Sequence, residues 1–129
     1  MTQEEKDLLL KDLSSRLPYG VKCNVGDDKP YTLSRIEIDD KNGHLLDFKE
    51  KKDSLDMQVY LSECRPYLLP LSSMTEEQEE ELIKYMAKDW NDMRYHTPDS
   101  IDWLNKNHFD FRNLIGRGLA IDCTNLNIY

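Results

Sequence analysis

The stretch Val21-Lys22-Cys23-Asn24-Val25-Gly26-Asp27-Asp28 sets apolar side chains at every second position and then breaks into a polar turn. Period two sends alternate side chains to opposite faces of a strand. Val21, Cys23 and Val25 therefore share one face, with Lys22 and Asn24 opposite. The pattern recurs toward the C-terminus. Thr32 to Ile38 reads as a second strand with Leu33, Ile36 and Ile38 apolar, and its broken alternation predicts a bulge. Asn42-Gly43 signals a hairpin because both residues tolerate positive φ, and Asp39, Asp40 and Lys41 lengthen the loop. His44 to Phe48 is the returning strand. A charged turn from Lys49 to Ser54 precedes Leu55, Met57, Val59 and Leu61, a regular alternation for a fourth strand. Pro66 and Pro70 bracket Tyr67, Leu68 and Leu69, an extended stretch expected to pack on the sheet.

Helical signals flank this β-rich middle. Thr2 with Glu5 makes a capping box, each side chain meeting the other's free backbone N–H. Leu9, Leu10, Leu13 and Leu17 then recur at helical spacing until Pro18 and Gly20 stop the helix. Thr75 with Gln78 makes a second box, followed by Leu82, Ile83, Met86, Ala87 and Trp90 on one helical face. Thr97-Pro98-Asp99 starts a third helix, carrying Ile101, Leu104 and His108 along one side. Leu119 to Ile121 reads as a final strand, with Leu126, Ile128 and Tyr129 as a tail that docks on the body. The fold class is α+β: an N-terminal helix, a small antiparallel sheet or SH3-like partial barrel, then two or three C-terminal helices. One domain spans 1–129, β-rich over 18–70 and α-rich over 73–118.

Charge narrows the functional classes. The net charge of −8 repels phosphate backbones, so direct nucleic-acid binding is disfavoured. Cys23, Cys64 and Cys123 are far apart, odd in number and without a C-x-x-C pair, and read as reduced thiols of a cytoplasmic protein. Thr2-Gln3-Glu4-Glu5 does not begin a signal peptide. Apolar runs of three to four residues fall far short of a membrane span.

No residue set forms a catalytic motif. His44, His96 and His108 lack the short spacing of zinc ligands, so neither metal nor cofactor is expected. His108 with Asp110 at i, i+2 reads as capping of a helix end before it reads as an oriented general base. Aligning Gly43 with the glycine of a calcium loop puts Ile38 and Lys49 at ligand positions, which fails. Gly116-Arg117-Gly118 is too short for a phosphate fingerprint. Arg112 and Arg117, with His108 beside them, remain candidate contacts for an anionic small ligand. The aromatics crowd the last 40 residues; Tyr67, Trp103 and Phe109 are candidate interaction residues if exposed, and core residues otherwise.

Five segments occur together: Leu17-Pro18-Tyr19-Gly20-Val21-Lys22, the run from Arg65-Pro66-Tyr67 to Met74-Thr75-Glu76-Glu77, Asp102-Trp103-Leu104-Asn105, His108-Phe109-Asp110-Phe111-Arg112, and Gly118-Leu119-Ala120-Ile121. Over Leu8 to Ile121 the chain resembles a family of small proteins that recur in gut Bacteroidales genomes, phages and mobile elements. That family has no established activity, so it transfers no functional residues. The resemblance implies an accessory protein of a bacterial mobile element, made in bacterial cytoplasm. The expected function is a non-enzymatic interaction protein acting on a host component; the alternative is a binder of an anionic nucleotide, and a small hydrolase ranks below both.

Overall fold

The computed structural model describes residues 1–49 and 57–129. Of the turn expected over Lys49 to Ser54, Lys49 ends a strand and residues 50–54 lie outside the described residues, as does the expected strand residue Leu55. The chain is α+β. Helix α1 (Gln3–Arg16) opens on the Thr2–Glu5 capping box. The strands β1 (Lys22–Asn24), β2 (Tyr31–Glu37), β3 (Leu45–Lys49), β4 (Met57–Tyr60) and β5 (Arg65–Pro70) follow. Then come α2 (Glu76–Tyr85), β6 (Ala87–Lys88), β7 (Arg94–Tyr95), α3 (Pro98–Lys106), β8 (Phe109–Asp110) and β9 (Ile121–Asp122).

The main sheet runs β4-β3-β2-β1-β5-β8, with β9 also on β5. It is open and not closed into a barrel. It is also mixed: β1 to β5 pair antiparallel, whereas β8 and β9 join β5 in parallel. The register of β2 on β3 shifts between Leu33 and Arg35, where the alternation breaks, and Ser34 Oγ donates to the Asp47 carbonyl there. Residues 38–44 connect β2 to β3 as a long loop. The Asp39 carboxylate accepts the Lys41 and Asn42 N–H groups, and Gly43 sits at φ 92°.

The Pro66–Pro70 stretch belongs to an internal strand of the sheet, paired with β1, β8 and β9, and is not an accessory to it. Pro66 has no N–H to give, and β1 pairs with β5 only at Cys23↔Pro66 and Asn24↔Arg65. The next rung in this register would join Lys22 to Tyr67. The Tyr129 hydroxyl fills it instead, accepting the Lys22 N–H at 2.9 Å and donating to the Tyr67 carbonyl at 2.9 Å. A side chain from the expected tail thus completes the ladder.

Two apolar clusters hold the body. Leu9 and Leu13 of α1 pack with Cys23, Leu46, Phe48 and Leu68 of the sheet. Leu82 of α2, Trp103 and Leu104 of α3, and Phe109 form the second; the Trp103 and Phe109 rings stack with centroids 5.7 Å apart. Tyr67, Trp103 and Phe109 are therefore core residues, and none of them offers a surface contact.

Helix α2 ends at Tyr85, short of the expected stripe. The residues beyond it form a hairpin because Asp89 competes with helix propagation: its carboxylate accepts the Asn91 and Met93 N–H groups, each at 2.9 Å. β6 and β7 pair at Ala87↔Tyr95 and Lys88↔Arg94. Thr97 Oγ1 donates to the Tyr85 carbonyl and its own side chain caps α3, tying both ends of the hairpin to the helices. Trp90, expected on one helical face with Leu82 and Ile83, sits at the exposed tip of the hairpin.

Candidate functional site

The expected anion contacts fall where α1 crosses the segment after α3. Asp12 and Arg16 are one helical turn apart and both are fully buried. Asp12 accepts Arg16 Nε at 2.9 Å and Arg112 Nη1 at 2.7 Å. Arg16 Nη2 donates to the Phe109 carbonyl at 2.6 Å. The Arg112 guanidinium lies 4.2 Å from the Phe111 ring centroid. One carboxylate thus bridges two guanidiniums, and Arg112 is occupied as a structural partner. Arg117 lies 3.9 Å from Glu4, eight positions up α1 and hence about 12 Å along its axis. The two arginines do not converge on a shared pocket.

Asp110 does not orient His108. Its carboxylate accepts the Leu114 and Ile115 N–H groups, each at 2.9 Å, which closes the turn after β8. His108 stands at φ 64°, rare for a residue with a side chain. Its ring stacks on Tyr129 with centroids 3.6 Å apart. Burial, then the charges of Arg16 and Lys22, push the imidazole down from 6.5 to about 4. Such a group is neutral and weakly basic near pH 7, so it makes a poor general base. Ser100 and His96 lie 3.1 Å apart, but the buried Ser100 hydroxyl is committed to the α3 cap through Thr97 N–H and Thr97 carbonyl.

The His108 shift carries a pH signature. Between about 4 and 6.5 the unfolded chain holds a proton on this imidazole that the folded chain lacks. Stability therefore falls as pH drops through that window, and His108 contributes nothing above it. His108→Asn, which tolerates the positive φ, should lose less stability between pH 7 and pH 4 than the parent when urea midpoints are compared. Parallel curves would refute the assignment.

The cysteines behave as core residues. Cys23, Cys64 and Cys123 are free and buried. Burial pushes the Cys123 thiol up from 9.0 to about 11, and burial with a hydrogen bond to Cys64 raises Cys23. At Cys123 the thiolate fraction falls roughly 100-fold. An aromatic disulfide reagent should therefore titrate the thiols slowly in buffer and at once in denaturant. Equal rates would contradict the burial.

Two further surfaces stand out. The first is a polar cleft of about 420 Å³ at the β2–β3 loop, lined by Lys6, Asp40, Lys41, His44, Tyr60 and Ser62 among others. His44 Nδ1 accepts the Asp39 N–H at 3.0 Å, so the neutral ring carries its proton on Nε2. The second is a groove of about 480 Å³ between α2 and β7. Leu71, Met74, Leu82, Ile83 and Met86 line its apolar part, with Glu79, Arg94 and His96 among the polar lining. The hairpin beside it presents Trp90 at 91% exposure, Met93 at 66% and Tyr95 at 52%.

Sequence reasoning counted Trp90 into a helical stripe and so missed this surface. The signal that could have found it is Asp89-Trp90-Asn91-Asp92, which is a turn sequence before it is a helical one. Among the described residues no cluster of three or more metal-ligating side chains occurs and no helix is long and apolar enough to cross a membrane. Comparison of the chain with protein-family models, curated proteins and solved structures gives no match.

Proposed function

We propose that the chain is a non-enzymatic interaction protein, an accessory factor of a phage or mobile element that acts on a host component in the bacterial cytoplasm. Its contact surface is the β6–β7 hairpin with the adjoining α2 groove. The observation that carries this reading is Trp90, 91% exposed at the tip of a hairpin fixed by the Asp89 turn and anchored at its base by Thr97. A tryptophan in water forgoes the burial of 150–250 Å² typical of an aromatic side chain. Trp is also enriched among residues that dominate binding energies. Met74 and Met86 line the groove and Met93 stands exposed on the hairpin, soft side chains that adapt to a partner.

The test uses the full chain and a Trp90→Ala/Met93→Ala variant, both immobilised in bacterial lysate. A protein held by the first and lost from the second supports the reading. Identical captures, with both chains folded by circular dichroism, would end it.

The small-ligand alternative finds its support in the polar cleft, where His44 Nε2–H, Lys6 and Lys41 supply donors and Tyr60 an exposed ring. Neither lysine has a carboxylate within ion-pair distance among the described residues. Thermal shift against a nucleotide panel reads it, since a ligand at 100 times its Kd adds about 2.7 kcal/mol. A panel without shifts would remove this alternative.

A further inference from the structure

The hairpin surface has an electrostatic character as well as an apolar one. Residues 76–95 hold seven carboxylates, on Glu76, Glu77, Glu79, Glu80, Glu81, Asp89 and Asp92, against the three cations Lys84, Lys88 and Arg94. That is half of the net charge of −8 within one helix and its hairpin. All seven residues are exposed. None has a cation within ion-pair distance among the described residues.

Stabilisation of α2 does not account for the number. The helix macrodipole rewards negative charge only in the first turn, whereas Glu80 and Glu81 lie beyond it. Like charges at i, i+4, such as Glu76 with Glu80 and Glu77 with Glu81, oppose the helix. Glu79 shares a helical face with Leu82 and Ile83, so one carboxylate of the run reaches the groove lining, which Arg94 also joins. The surface is thus an apolar trough beside unneutralised carboxylates, with one aromatic projection.

We infer that the occupant of this surface is a basic protein segment with large apolar anchors: its aliphatic or aromatic side chains fill the groove over Leu82, Ile83 and Met86 and pack on Trp90, while flanking Lys and Arg meet the α2 carboxylates. This rests on the interaction reading above and adds the chemistry of the partner. Charge complementarity steers the encounter and excludes acidic competitors, while the buried anchors supply the dwell time.

The probes are two short labelled amphipathic peptides of matched apolar content, one built on leucine and lysine, the other on leucine and glutamate. Fluorescence anisotropy with the full chain should give the lysine peptide at least about tenfold tighter binding, a gap that narrows as salt rises from roughly 0.05 to 0.5 M. Trp90→Ala should weaken the lysine peptide at least about tenfold. That variant leaves the net charge unchanged, so diffuse attraction to an acidic chain would survive it. Glu79→Lys/Glu80→Lys should shrink the preference between the peptides. Equal binding of the two peptides, no binding of either, or full retention by Trp90→Ala overturns the basic-partner assignment. If a Trp90-dependent partner is nevertheless captured from lysate, the interaction reading stands and only the partner chemistry falls.

Discussion

Asp12→Ala is expected to cost the fold about 3–5 kcal/mol, a large share of a domain's whole margin of about 5–15 kcal/mol. Asp12 is fully buried and, among the described residues, is the one carboxylate that meets both Arg16 and Arg112. Removing it leaves the wholly buried Arg16 with only the Phe109 carbonyl as a hydrogen-bond partner among the described residues. The Phe111 ring, with its centroid 5.5 Å from the Arg16 guanidinium, offsets only part of that desolvation. Urea denaturation followed by circular dichroism measures the loss, and a fall under about 1 kcal/mol would show that the pair is dispensable. The double variant Asp12→Leu/Arg16→Met separates charge from packing. It should recover part of the loss, because it removes the buried Arg16 charge together with its partner, while Arg112 keeps its contact with the Phe111 ring.

The reach of this cluster explains what sequence could and could not provide. Asp12 and Arg16 look like an ordinary i, i+4 surface pair when only α1 is in view. Their burial is imposed by Arg112, Phe109 and Phe111, about a hundred positions away. Local signals were legible where their physics is local. The boxes at Thr2 and Thr75, the Thr97-Pro98 start and the alternations over 21–25 and 57–61 all depend on near neighbours. β8 and β9 are two residues each and exist because β5 offers them backbone partners, so no periodicity betrays their parallel pairing. For the same reason the SH3-like closure has no counterpart: β5 is covered on its far side by these parallel additions, not by a returning antiparallel strand. At Trp90 two local rules collided, a helical stripe and an Asx turn, and hydrogen bonding by Asp89 won.

That collision sets the second large effect. Trp90→Ala should cost a bound partner at least about 2 kcal/mol, roughly a 30-fold rise in Kd, while the thermal midpoint stays put. The side chain is 91% exposed, so truncating it opens no cavity and strips little from the fold, within about 0.5 kcal/mol. Trp103→Ala is the opposite case. Trp103 is stacked on Phe109 inside the second core cluster, and its truncation should cost about 3–5 kcal/mol of stability. Scanning calorimetry on the two variants, with titration of the captured partner, divides the roles of the two tryptophans. A Trp90→Ala protein that melts several degrees lower would mean that the indole packs on its own chain, and the hairpin would then lose its standing as a contact surface. A variant that melts like the parent but binds as well as the parent would move the contact elsewhere. The combination of unchanged melting and lost binding is what an indole held in water by the Asp89 turn predicts, because such a residue has contacts to gain only from another molecule.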